Sequence, residues 1–443
     1  MKKLETIKKT FASLVLVSAF CVGCGGNSTT SNNSSSVNNL LPSSGESINT
    51  EVTEPVTLKF WHGFTGADGD SMKKMVDKFN EENTHQITIE MEVYNWDTLF
   101  TKLYTTTTNA RFMPHVVALG ANRLANTQSK KILLEMDDVM GRFNLEKDDF
   151  IPAAYDAGLI GDHRYSFPLD MHPTAVYYNK ELINEDKLPS TWDEFIAVCK
   201  EYTKDGVYGW AIPNMYSITK DIFYSMVLQE GEDILTSDNK INLNSKVAIE
   251  KLSLLEKWKY DDGISPVSVG AAGDYSLFKA GKSVFYFDGP WTINSMNDDD
   301  GLNFEYGTFP LPESVGEGST SFSGSHQLSL INKTVKDMNT KNAAYEFINF
   351  LTSNSLDWAK AGQVPARLEV HESDEFKALD KLAPFVEEAK TAVLGHVSYK
   401  YFYESYNYMG TAVSNALNSK SHDAEKCLKE KHDQFNRFLI EEE

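Results

Sequence analysis

A two-lobed α/β architecture is what the sequence predicts, on three observations. Strand-like runs alternate with helical stripes along most of the chain. Its 443 residues exceed the roughly 100–200 of one ordinary domain. A content of 41% hydrophobic and 12% aromatic residues is too rich for a disordered chain and can fill more than one core.

The elements follow in order. Val56–Trp61 reads as the first strand, and Asp70 or Ser71 as the cap of a helix with Met72, Met75, Val76 and Phe79 on one stripe. Residues 87–94 alternate as a second strand, and His115–Leu119 form a short apolar third. Further strands are expected at Thr174–Tyr178, Val207–Ile212, Ser283–Phe287 and Phe304–Phe309. Helices are expected at Ser245–Lys259 and Thr340–Leu351, the latter with Ala344, Phe347, Ile348 and Leu351 as its apolar stripe. Thr191 and Glu194 form a capping box that opens a helix carrying Phe195, Val198, Cys199 and Tyr202. Cys199 and Cys427 both read as small buried hydrophobes.

The N-terminus has a different character. Lys2, Lys3, Lys8 and Lys9 precede a short apolar stretch from Phe11 to Val22, the layout of a secretory signal. It ends in Cys21-Val22-Gly23-Cys24, which resembles a bacterial lipobox with Cys24 as the lipidated residue. Residues 1–23 are therefore expected to be a signal peptide, and residues 24–55, rich in Ser and Asn, a flexible tether. Together they predict a protein held on the extracytoplasmic face of a bacterial cell membrane. No apolar run reaches the roughly 20 residues of a membrane span.

Composition narrows the chemistry. Lys and Arg number 42 against 63 Asp and Glu, a net charge of -21, which argues against a nucleic-acid partner. No phosphate-binding Gly loop, nucleophile elbow or metal-ligand motif occurs, so no cofactor is expected. What stands out is aromatic and polar residues at strand ends: Phe60-Trp61-His62-Gly63-Phe64-Thr65-Gly66, then Phe167 to Pro173 with Asp170 and His172, then Phe287-Asp288-Gly289-Pro290-Trp291. In open α/β sheets, ligands favour crevices at the carboxyl ends of strands. Aromatic plates flanked by polar groups suit the apolar faces and hydroxyl edges of sugar rings.

These segments carry a resemblance. Leu58 to Gly63, Tyr94-Asn95-Trp96-Asp97, Tyr177 to Leu182, Leu188 to Phe195, Phe278 to Trp291, Ser323 to Leu328 and Gly362 to Arg367 occur in the order found in extracellular solute-binding lipoproteins of ABC-type sugar importers. The type resembled is the maltose, multiple-sugar and glycerol-3-phosphate-binding one. The resemblance implies a type II periplasmic-binding-protein-like fold, with a hinge and an interlobe cleft. Residues 56–169 and 316–364 would form the first lobe, and 170–315 and 365–443 the second. It also implies a monomer that delivers a carbohydrate, such as an oligosaccharide, to a membrane permease.

Matched residue by residue, the resemblance implies ligand contacts from Trp291 as a stacking indole, and from His62, Phe64 and Thr65 in the turn after the first strand. Trp96 is the first-lobe aromatic, and Gly120 and Asn122 follow the third strand. Asp170 and His172 fall at the first crossing, Asn214 and Tyr216 in the second lobe, and Ser325, Arg367 and Tyr406 at positions that some members use. Trp61 is expected to pack inward.

Three other readings compete. His62, His172, His326 and Asp170 could build a metal-binding receptor. A lipid-anchored glycosidase would need two carboxylates about 5–10 Å apart, which no motif marks. Glycerol-3-phosphate or a related phosphorylated ligand would need a cationic cleft, for which Arg367 is the candidate arginine. The reading carried forward is a neutral-carbohydrate receptor with no catalytic residue and no metal.

Overall fold

The computed structural model describes residues 50–214, 218–270, 272–297, 301–314, 320–418, 420 and 423–442. The expected signal segment, Cys24, most of the expected tether and Tyr216 lie outside the described residues. Where description begins, the chain is already docked: Thr53 N–H donates to Asn339 Oδ1 at 2.7 Å, and Asn342 Nδ2 to the Glu51 carbonyl at 2.9 Å. The lobe is thus engaged ahead of the expected boundary at Val56. Among the described residues, no helix is long and apolar enough to cross a membrane.

One five-stranded sheet runs in the order Ile87–Val93, Val56–His62, Val116–Gly120, His326–Leu330, Phe167–Pro168. The first three strands are parallel, with Val56 opposite Ile87 and Phe60 opposite Val116. His326–Leu330 then pairs antiparallel with both neighbours, placing His326 opposite Gly120. Side chains alternate across this sheet. Leu58, Phe60, Val116 and Ala118 enter the largest core, whereas Trp61, Val117 and Leu119 enter a smaller one on the other face. A parallel sheet covered on both faces reads as nearly continuous apolar runs, as these strands do.

A second sheet has the order Tyr306–Phe309, Ala175–Asn179, Ser283–Asp288, Tyr208–Trp210. Val176, Tyr178, Phe285 and Phe287 pack on one face with the helices Trp192–Tyr202, Phe402–Leu417 and Ala424–Glu442, while Tyr177 and Tyr286 pack on the other. The capping box forms: Glu194 N–H donates to Thr191 Oγ1, and Thr191 N–H to the Glu194 carboxylate. Cys199 and Cys427 are both buried on this side.

Three short antiparallel strands, Ser323–Gly324, Asp170–Pro173 and Val364–Pro365, form a third sheet where the chain passes between the two larger ones. Gly324 lies opposite His172, and Val364 opposite Met171.

Some expected boundaries move. The first helix spans Ala67–Glu82, starting before Asp70, because Gly66 takes the N-cap place. Asp68 Oδ1 accepts from Gly66 N–H and Gly69 N–H there, closing the turn. The strand expected over Val207–Ile212 shortens to Tyr208–Trp210, because the Ser265 hydroxyl takes the Ile212 N–H at 2.9 Å in place of a ladder partner. That expected over Phe304–Phe309 begins at Tyr306.

Candidate functional site

A cavity of about 380 Å³ opens between the two sheets, within the range of about 300–1,000 Å³ usual for small-molecule sites. The turn after the first strand contributes Gly63, Thr65, Gly66, Ala67 and Asp68 to its walls. Trp96, His326 and Gln363 join from the same side, and His172, Trp291 and Ser295 complete the lining.

Two glycines let the indoles lie where they do. A Cβ on Gly63 would fall inside the Trp96 ring, and one on Gly289 inside the Trp291 ring, both well within the 3.0 Å that real Cβ atoms keep. Trp96 stacks on His326 with centroids 5.2 Å apart and planes 7° apart. His326 stacks on His172 at 4.3 Å, and His172 meets Trp291 edge-on at 5.9 Å. Four aromatic rings therefore run across the cavity, with an indole at either end.

Beneath the imidazoles lies Asp170, with no exposed surface. It accepts from Trp358 Nε1–H at 2.7 Å, from the His326 backbone N–H at 2.9 Å, from His326 Nδ1–H at 2.8 Å and from His172 Nδ1–H at 3.2 Å. Burial alone would raise this carboxyl, but His326 and His172 outweigh it and hold it below the ordinary carboxylate range. Burial lowers His172, with the like charge of His326 adding to it. Burial likewise raises Asp68 on the cavity wall.

Thr65, Trp96, His172 and Trp291 stand where the sequence reading put them, at the cavity. Gly120, Asn122 and Ser325 line a smaller adjoining space of about 40 Å³, which shares His172 with the main cavity. Six expected contacts are corrected. His62 is fully buried; its Nδ1 accepts from Phe64 N–H at 3.2 Å, its Nε2 is sealed without a partner, and burial with the His326 charge lowers its pKa to about 4. Phe64 is buried under Trp96, His326 and Trp358, as a support for the floor. Asp170 positions the two histidines and has no surface to offer a ligand. Asn214 is buried and tied to Leu417, Val267, Val269 and Lys259. Tyr406 is buried, with its hydroxyl on the Asp221 carboxylate and its ring against Phe322. Arg367 is held by Asn349 at 3.1 Å and Glu369 at 2.9 Å, with its backbone bridged to Phe150, and is not among the cavity residues.

Sequence reasoning left His326, Gln363, Ser295 and Asp68 out of the ligand contacts. His326 carried a signal, since it sits in the Ser323 to Leu328 motif and was weighed only as a metal ligand. Ser295 and Gln363 carried none beyond proximity to Trp291 and to the last crossing.

The metal grouping is also a hydrogen-bonded cluster. Asp170, His172 and His326 do bring ligand atoms within 4.8 Å of one another. Yet Trp358 Nε1–H and the His326 N–H also occupy the carboxylate, both Nδ1–H groups are spent on it, and the His62 Nδ1 lone pair is engaged by Phe64. Among the described lining residues, Asp68 is the single carboxylate facing the cavity, whereas glycoside hydrolysis uses two. No lysine or arginine is among them.

A profile of bacterial extracellular solute-binding proteins matches residues 74–384. A binding protein of Brucella abortus (strain 2308) is 26% identical over 380 residues, covering 82% of this chain and 87% of that one. The galactooligosaccharide-binding protein of Bacillus subtilis (strain 168) is 24% identical over 228 residues, 48% of this chain and 50% of the relative. Among solved structures, the maltose/maltodextrin-binding domain from Bdellovibrio bacteriovorus bound to maltotriose superposes with a TM-score of 0.71 at 19% identity, covering 86% of this chain and all of that one, a likeness of fold. With the profile running over well more than half its length, this chain belongs to the bacterial extracellular solute-binding protein family.

Proposed function

We propose that this protein captures a neutral carbohydrate, most simply an oligosaccharide, and hands it to the permease of an ABC-type importer. The observation that carries the reading is the pair of indoles, Trp96 and Trp291, at opposite ends of a polar cavity that no described cation lines. Indole faces cover the CH faces of sugar rings, while Thr65, Ser295 and Gln363 offer hydroxyl and amide partners at the edges. The likeness to a galactooligosaccharide-binding relative and to a maltotriose-bound fold supports the same ligand class.

The mechanism is ligand-stabilised closure. Residues 56–169 and 316–364 act as one lobe, and 170–315 with 365–443 as the other. Contacts from both exist together only when the cleft is shut, so the sugar shifts the population toward the closed form. Lipidation at Cys24, after removal of residues 1–23, with the Ser- and Asn-rich segment that follows as tether, would keep the receptor beside its permease.

A phosphorylated ligand is disfavoured because Arg367, its candidate partner, is spent on Asn349 and Glu369. The test is calorimetric titration with neutral oligosaccharides, glycerol-3-phosphate and zinc, alongside chromatography of the sugars. Micromolar binding of an intact neutral sugar is expected. Tight binding of glycerol-3-phosphate or zinc alone, or cleavage of a sugar, overturns the reading.

A further inference from the structure

The floor of the cavity has a fixed proton arrangement. An ionised carboxylate can only accept, so the imidazoles bonded to Asp170 both carry their proton on Nδ1, and each neutral ring holds its lone pair at Nε2. The carboxylate cannot turn away, because Trp358 Nε1–H and the His326 backbone N–H pin it from other directions. Among the described residues neither Nε2 has a hydrogen-bond partner, and neither is among the sealed polar atoms, unlike the Nε2 of His62. Gly324 leaves room for the His172 Nε2 edge, which a Cβ there would strike. Beside these two acceptors the cavity wall carries a third, Asp68.

We propose that His172 and His326 are specificity-determining acceptors: with Nε2 lone pairs turned to the cleft, they take hydroxyl protons from a neutral glycan and turn away acidic ones such as uronates and sugar phosphates. This deepens, and rests on, the carbohydrate reading above. A bound carboxylate or phosphate would meet two lone pairs and the charges of Asp68 and Asp170, with no described lysine or arginine to answer it. Two like charges about 5 Å apart at an effective dielectric of about 20 weaken binding on the order of a hundredfold.

Protonation reverses the arrangement, since an imidazolium donates from both nitrogens. The charged and titratable groups facing His172 are Asp170, His326 and Asp221; those facing His326 are Asp170, His172, His62 and Asp68. Acceptance of hydroxyl protons needs the neutral rings. Burial holds His172 below the ordinary imidazole value, with His326 adding to it, which favours the neutral, accepting ring.

The test uses maltotriose and its counterpart oxidised to a glucuronic acid at one C6, titrated calorimetrically at pH 7.5. At pH 7.5 the uronate is expected to bind at least tenfold more weakly than maltotriose. His172→Phe and His326→Phe keep a ring in the stack and remove the Nε2 acceptor; each is expected to weaken maltotriose about tenfold and to narrow the discrimination. Nitrogen-15 NMR of the imidazoles in the ligand-free wild-type protein reads the tautomers directly. An Nε2–H on either ring at pH 7.5, equal affinity for the two trisaccharides, or Phe variants that keep both affinity and ratio would overturn the inference. If the tautomers stand but no neutral sugar in a wider panel binds, the carbohydrate reading fails and takes this inference with it.

Discussion

Gly63→Ala isolates the stacking geometry without removing a ligand contact. The new Cβ would fall inside the indole of Trp96, which must retreat by about 1 Å or more to reach ordinary van der Waals separation. Retreat breaks the near-parallel stack on His326, now 5.2 Å between centroids at 7°, and tilts the indole face away from the cavity. Overpacking of this kind costs about 1–3 kcal/mol. If that cost falls on the binding-competent position of the indole, affinity drops by about ten- to a hundredfold. Gly66→Ala is the matched control: it lines the same cavity, its backbone lies at an ordinary φ of -100°, and its Cβ would meet only Asp68 Oδ1 at 3.4 Å. Calorimetric titration of both variants with maltotriose, beside thermal melts to establish folding, makes the comparison. A folded Gly63→Ala protein binding within twofold of wild type would refute the claim that the Trp96 face is a sugar platform.

Three further expectations follow from the same geometry. Trp291→Ala removes the opposite platform; at about 25 cal/mol per Å² over about 60 Å² of covered indole face, affinity should fall about tenfold with cooperative unfolding retained, as calorimetry and chemical denaturation would report. Arg367→Ala should leave sugar affinity unchanged while lowering stability by about 1–3 kcal/mol, because the buried guanidinium ties Asn349 and Glu369 away from the cavity; a loss of affinity in a stably folded variant would return Arg367 to the site. Glu388, buried and accepting from Leu311 N–H at 2.9 Å, is raised from 4.5 to about 7 by burial, with Glu313 adding to it. The unfolded chain gives up this proton first, so the group's contribution to stability falls between about pH 4.5 and 7 and is flat above; Glu388→Gln should remove that slope, gaining about 3 kcal/mol at pH 8 in urea unfolding, and an unchanged slope would contradict the assignment.

Much of the fold was legible because its signals are local. Period-two and period-3.6 patterns located the strands and helices, and Thr191 with Glu194 announced a helix start that the structure realises with both hydrogen bonds. Of the site, the aromatic plates were legible: Trp96 and Trp291 each follow a motif that ends at the cavity. The inward turn of His62 was also available, since it shares parity with Leu58 and Phe60 on a strand whose even positions enter the core. The strand-end motif drew the assignment to ligand instead. For Asn214 and Tyr406 no local pattern could have decided, because their partners come from far along the chain: Leu417 and Asp221 respectively. A polar side chain satisfied by a distant segment looks, in sequence, the same as one waiting for a ligand. Asp170 is the sharpest case. It serves the site through the two histidines it holds, one of which, His326, arrives 156 positions later in the chain.

The central claim is that a glycan lies between Trp96 and Trp291, over the His172 and His326 edges. The most direct measurement is a crystal structure of the protein grown with the neutral oligosaccharide that calorimetry selects. The account predicts sugar rings stacked on both indoles, with hydroxyls within hydrogen-bond distance of the two Nε2 atoms and no anionic group among them. A sugar bound elsewhere, such as in the outer groove beside Trp192 and Trp258, with the cavity between the sheets left to water, would contradict it.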